Sequence, residues 1–339
     1  MPIASQIRRG FYGVTTKKPV RTAAAYVISL VVGILLLRRL SQRGLQPEAS
    51  WQSAVQITVH FMLQVNQDKI QQDRLERIRN YCNASRNNKN IFHKLPNRNH
   101  FNFVVSEKHK FIICYVPKTG CSQWKDLLLN VLAVRPVTPN HDISLFDYSI
   151  FKFLNEFSAE ERKKMLDSYQ KFYFVREPFE RLLSAYRDKF VGKTTHLYET
   201  VARKIIQKVR GVGRDNENGG RPTLAEFTTY LNQLPDPSSW DMHWRPAHQT
   251  CYPCAVDYNY VGYFDTIKED ADYILKKLQL DNQFQFPAFR SHTSVLLEKH
   301  YSQIPLHQIV KLADIYREDF EMFGFKYPAT IKKLFKDWV

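Results

Sequence analysis

The chain has 339 residues, of which 44% are hydrophobic and 14% aromatic, so it can bury a sizeable core in one or two domains and is not a disordered polymer. Its 49 basic residues outnumber 33 acidic ones, a formal net charge of +16. That surplus points to an acidic partner: nucleic acid, an anionic membrane or an anionic polysaccharide.

Thr22 to Leu37 (TAAAYVISLVVGILLL) carries no charge and is flanked by Arg8, Arg9, Lys17, Lys18 and Arg21 before it and by Arg38, Arg39 and Arg43 after it. At about 1.5 Å per residue the run is short for a bilayer, so flanking arginines would snorkel. No small-residue cleavage site follows it, which argues against a removed signal peptide. The excess of positive charge before the run predicts a signal-anchor. Residues 1–21 would be a cytosolic tail, 22–37 a transmembrane helix, 38–105 a stem and 106–339 a luminal domain. Within the stem, Asp68 to Tyr81 (DKIQQDRLERIRNY) has helical periodicity and dense charge and reads as a solvated helix. Asn83-Ala84-Ser85 is a glycosylation sequon. Further on, Cys251 and Cys254 sit in CYPC with no second such pair; in an oxidising lumen a local disulfide between them is expected.

From Lys110 the texture is that of an α/β domain with a parallel sheet. FIICYV and KFYFV (171–175) are short apolar runs suited to buried parallel strands. A helix is predicted from Gln123 to Val134, a capping box (Ser158, Glu161) opens another, and Pro178 starts a third that runs to about Phe190. Capping boxes also open at Thr223 and Thr266, with apolar NYVGYF between them, while 211–222 (GVGRDNENGGRP) reads as a surface loop.

The chemistry gathers at two strand ends, where ligands of such sheets bind. PKTGCSQWK follows the first. Backbone N–H groups of Gly120, Cys121 and Ser122 can face an anion at a helix N-terminus. Lys118 adds a point charge, and the hydroxyls of Thr119 and Ser122 can donate. After the second, Arg176 can clamp a phosphate in a bidentate fork or pair with Glu177 or Glu180 instead, and Ser184 lies two helical turns on. Two anion-suited ends predict a ligand with two separate phosphates.

YVPKTGCSQWK followed by FVREPFERLLSAYRDKF strongly resembles the 5′-phosphosulfate and 3′-phosphate motifs of Golgi carbohydrate sulfotransferases. More narrowly, the chain is similar to the family holding the chondroitin and dermatan 4-O-sulfotransferases and a glucuronyl 3-O-sulfotransferase. DMHW (241–244), CYPC (251–254) and VGYF (261–264) extend the likeness, which covers about 107–327. Tyr263 stands where lysine is frequent and Glu177 where aspartate is, departures that leave the acceptor open. The resemblance implies a P-loop-like sulfotransferase fold, a central parallel sheet flanked by helices, behind one transmembrane helix in the Golgi membrane. It implies 3′-phosphoadenylyl sulfate (PAPS) as donor, no metal, no nucleic acid and a glycan acceptor. Pro117, Lys118, Thr119, Gly120, Cys121, Ser122 and Gln123 would hold the 5′-phosphosulfate. Arg176, Glu177, Pro178, Phe179, Glu180, Arg181, Leu182, Leu183 and Ser184 would form the 3′-phosphate motif. Lys118 would stabilise the bridging oxygen, and His243 of DMHW is the first choice of general base, with His141, His248 and His292 as rivals. Arg203, Lys204, Lys208 and Arg210 could track an anionic polymer. The preferred acceptor is the 4-hydroxyl of N-acetylgalactosamine in chondroitin or dermatan; alternatives are the 3-hydroxyl of glucuronic acid and N-glycan termini. A nucleotide kinase would need GxxxxGK[ST], which is missing, whereas a membrane-tethered binder of anionic glycans would need the charge alone.

Overall fold

The computed structural model describes residues 48–84, 102–133, 150–192, 195–213, 217–288, 291 and 293–326, with side chains from Val65 onward. The expected tail and membrane segment (1–37) lie outside these residues, as do His141 and His292. Among the described residues no helix is long and apolar enough to cross a membrane. Contacts divide the chain after Gln64, and the unit from Val65 on carries the sheet.

Among the described residues five strands form one sheet: β1 (Phe103–Ser106), β2 (Phe111–Cys114), β3 (Lys152–Phe153), β4 (Gln170–Val175) and β5 (Tyr260–Tyr263), in the order β3-β1-β2-β4-β5. The sheet is mixed, which corrects the all-parallel expectation. β2, β4 and β5 run parallel, with Ile113 opposite Phe172 and Tyr173 opposite Val261, while β1 is antiparallel to both β2 and β3. The reason is local: only four residues separate β1 from β2, enough for a hairpin but far too few for a parallel crossover.

Strand residues alternate between two cores. Phe103, Val105, Ile112, Tyr173 and Val175 pack on one face; Val104, Phe111, Ile113, Phe172 and Phe174 pack on the other. Both faces are covered, hence the unbroken apolar runs. On the second face lies α2 (Cys121–Val131), whose Trp124 meets Phe172, Phe174 and Phe286 at ring-centroid distances of 5.4, 5.0 and 5.0 Å. A third core surrounds α4 (Pro178–Tyr186) and takes in Phe227, Trp244, Tyr301 and Tyr316.

Helix starts follow the sequence where the cap is local. Ser158 and Glu161 cap α3 (Ala159–Ser168) reciprocally, and Thr223 with Glu226 caps α6 (Leu224–Gln233) in the same way. The box expected at Thr266 does not form. Its hydroxyl donates instead to Asp270 Oδ2 (2.6 Å) of α8 (Ile267–Lys277), and this buried carboxylate also receives Arg74 Nη1 on Oδ1 (2.7 Å).

Arg74 belongs to α1 (Glu48–Ala84), which differs from the solvated stem helix expected there. Gln71, Arg74, Ile78 and Cys82 are buried, and Gln71 Oε1 accepts the Val261 N–H (2.9 Å), so the helix closes the outer edge of β5. The local Cys251–Cys254 disulfide is also corrected. Cys82 pairs with Cys254 and Cys114 with Cys251, leaving Cys121 free. Cys251, the last residue of α7 (Ala247–Cys251), faces β2, whereas Cys254, in the turn beyond, faces α1. Asn83 is exposed at the end of α1.

Candidate functional site

β2 and β4 end side by side, so the loops that follow them share one side of the sheet. In the first loop Lys118 and Gly120 have left-handed φ values of 71° and 89°. Gly120 is doubly required, since a Cβ there would sit 2.2 Å from Ile267 Cδ1. α2 starts at the next residue, and the N–H groups of its first turn have no partner within the helix.

An open cleft of about 330 Å³ lies over these loops. Pro117, Lys118, Gly120, Cys121, Ser122 and Gln123 line it from the first loop, and Arg176 and Ser184 from the second. His243 reaches the same cleft from a distant segment. A neighbouring cleft of about 750 Å³ shares Phe264 and Ser291 with it and adds Glu180.

Several residues of the motifs are tied up within the fold. Thr119 is buried and its hydroxyl donates to the Val116 carbonyl (2.7 Å), closing the loop from within. The Cys121 thiol lies 3.2 Å from the same carbonyl, and burial pushes its pKa up. Glu177 caps α4 by accepting the Glu180 N–H (2.7 Å), and burial raises its carboxyl to about 8. Pro178 takes the first helical position, while Phe179, Leu182 and Leu183 fill the third core. Arg181 is buried and donates to the carbonyls of Arg245 (3.0 Å) and His243 (3.4 Å), so it pins DMHWR to α4.

Arg176 joins the two strand ends. Its Nη1 donates to the Lys118 carbonyl (3.3 Å) and Nη2 to Ser291 Oγ (3.1 Å), and its guanidinium stacks 3.9 Å from the Phe264 ring centre. The alternative ion pair is realised with Glu180 (3.3 Å), not with Glu177. The cleft therefore receives this cation in a fixed orientation.

α4 runs into a π-helical turn, Arg187–Val191, of the kind that recurs at functional sites. The turn aims Asp188 and Lys189 into the cleft, where Asp188 Oδ2 meets Lys118 Nζ at 3.1 Å and Lys189 Nζ at 3.0 Å. Burial works to raise the Asp188 pKa, but the two ammonium groups outweigh it and hold the carboxyl below its usual value.

His243 Nδ1 lies 2.7 Å from Asp241 Oδ1, which also accepts the His243 backbone N–H (2.9 Å). A carboxylate only accepts, so Nδ1 carries the proton and Nε2 holds the lone pair. Burial drives the imidazole pKa down against the pull of Asp241, and nearby Lys189 and Lys118 lower it further. These influences together favour the neutral ring. His248 is excluded from the cleft. It pairs with Asp319 (2.7 Å) of α11 (Arg317–Phe323); burial opposes protonation there, but Asp319 raises the imidazole pKa overall.

Asp188, Lys189, Asp241, Phe264 and Ser291 were not predicted as site residues. Asp241 had a signal, two residues before His243 in DMHW, and Lys189 follows Ser184 closely. The π-turn that turns Asp188 and Lys189 inward left no mark in the sequence.

A model of the sulfotransferase family matches residues 101–326. Curated relatives include carbohydrate sulfotransferase 12 of Xenopus laevis, 30% identical over 79% of this chain and 71% of its own. Carbohydrate sulfotransferase 14 of Danio rerio is 34% identical over 67% and 63%, and carbohydrate sulfotransferase 11 of Rattus norvegicus 33% over 68% of each chain. No solved structure matches significantly.

Proposed function

The chain belongs to the sulfotransferase family, and we propose that it moves a sulfuryl group from PAPS to a sugar hydroxyl, first of all the 4-hydroxyl of N-acetylgalactosamine in chondroitin or dermatan. The observation that carries this reading is the convergence of both anion-suited strand ends and an Asp–His pair on one cleft. The donor brings the activated sulfuryl group. First-turn amides of α2, Lys118 and Lys189 are suited to its phosphosulfate, and Arg176 with Ser184 to its second phosphate. His243 Nε2 takes the acceptor hydroxyl's proton as the oxygen–sulfur bond forms, a role typically worth about 10²–10⁴-fold in rate. Lys118 offsets the charge that collects on the bridging oxygen as the old sulfur–oxygen bond breaks, and loss of such a donor typically costs about 10²–10³-fold. Relatives named as carbohydrate sulfotransferases support a glycan acceptor.

Anchoring through 22–37 and a luminal Golgi domain are part of the same proposal. Two long-range disulfides support an oxidising compartment. A passive binder of anionic glycans would have no use for the Asp241–His243 arrangement.

The test is incubation of the purified full-length chain with labelled PAPS and a panel of desulfated chondroitin, dermatan and N-glycan acceptors, followed by disaccharide analysis. Sulfate on the galactosamine 4-position is the expected result. Sulfate found only elsewhere would overturn the acceptor, and none on any acceptor would overturn the activity.

A further inference from the structure

Tyr198 lies outside both motifs. It sits in the first turn of α5 (His196–Arg210) between exposed Leu197 and Glu199, yet is 7% exposed itself. Its ring meets Phe190 (6.4 Å), Trp244 (6.3 Å) and, at an interplanar angle of 89°, His243 (5.7 Å between centroids). Packing alone would explain an aromatic residue here but not where its hydroxyl goes. The hydroxyl lies 3.3 Å from Asp241 Oδ2 and 3.0 Å from His243 Nδ1. Because Nδ1 already carries the proton that Asp241 Oδ1 accepts, the tyrosine proton has one destination, Oδ2. Burial, and then Asp241, raise the Tyr198 pKa, so the hydroxyl remains a donor. On its other side the ring supports Lys189 Nζ, 4.5 Å from the centroid, and Lys189 joins Lys118 through Asp188.

We propose that Tyr198 is a positioning residue: it fixes the Asp241 carboxylate so that His243 keeps its proton on Nδ1 and offers Nε2, and it holds Lys189 beside them. This rests on the reading of His243 as the base. The charged and titratable groups facing the imidazole are Asp241 from its own segment, Tyr198 from α5, Lys189 with Asp188 from the π-turn, and Lys118 from the first loop. Arg181 faces the His243 carbonyl. Without the tyrosine donor, Asp241 has more charge to give the imidazolium, so the histidine pKa rises.

The test compares Tyr198→Phe and His243→Asn with the native full-length chain, reading sulfate transfer to desulfated chondroitin from about pH 5.5 to 8.5 and binding of adenosine 3′,5′-bisphosphate. Phenylalanine keeps the ring under Lys189. For Tyr198→Phe the expected result is a roughly tenfold lower kcat, an acid limb moved up by about half a pH unit and bisphosphate affinity within about twofold of native. An unmoved limb, with or without a fall in kcat, overturns the proposal and leaves Tyr198 a packing residue. If His243→Asn keeps native activity, the base reading fails and takes this inference with it; if His243→Asn is inactive and Tyr198→Phe is native-like, only the inference fails. Should Tyr198→Phe fold poorly, 3-fluorotyrosine at 198, a stronger donor of nearly the same shape, is expected to move the limb down, and no movement there overturns the proposal.

Discussion

Arg176 and Lys118 have been given similar roles, but they must be tested differently. The Arg176 side chain is 2% exposed and paired with the partly buried Glu180, so Arg176→Ala would leave that carboxylate without its partner and would confound loss of activity with loss of stability. Arg176→Lys keeps the charge and removes the fork. It is expected to lower turnover by about 10²-fold while the protein stays folded, as read by kinetics alongside thermal melting. Lys118 is more open, and its partner Asp188 is 44% exposed, so Lys118→Ala is expected to lower transfer by about 10²–10³-fold with under about 1 kcal/mol lost in stability. Full activity in Lys118→Ala would remove the lysine from the mechanism. Residue identity announced both cations because no other side chains serve anions at strand ends so well. It did not announce the direction of the Thr119 hydroxyl, which the Val116 carbonyl sets.

Secondary-structure elements were legible where their signals are local. Buried strands appear as apolar runs, and Ser158–Glu161 and Thr223–Glu226 cap the helices they open. α1 was misread because its polar surface hides contacts from 187 to 196 residues away, among them Gln71 and Arg74 on β5 and Arg74 on Asp270. Asp270 is fully buried, so Arg74→Ala is expected to destabilise the fold by about 3–5 kcal/mol, measured as a lower denaturant midpoint. The Cys82–Cys254 bridge fastens the same helix across a separation of 172 residues. Replacing both cysteines by serine is expected to lower stability by up to about 5 kcal/mol in the chain-entropy picture, and an unchanged melting temperature would show that α1 needs no tether.

At the scale of the molecule, the net charge of +16 suits a polyanionic acceptor. Arg203, Lys204 and Lys208 of α5 are exposed and available to one, whereas Arg210 is engaged by Glu226 (2.5 Å) and the Arg221 carbonyl (3.0 Å). Raising salt from about 0.05 to 0.5 M shortens the screening length severalfold and is expected to depress transfer to desulfated chondroitin, but not to a neutral oligosaccharide. Equal loss on both would assign the salt effect to donor binding. From the sequence alone came the α/β class, the two anion-suited strand ends and the family resemblance, because each is written in contiguous residues obeying short-range rules. Only tertiary structure decided that the sheet is mixed, which cysteines pair, which motif side chains face the cleft, that Asp188 and Lys189 join them there, and that Tyr198 meets His243. Those outcomes depend on groups far apart in the chain being buried together, where unmet hydrogen bonds and unpaired charges are too costly to persist, and no local pattern records that requirement.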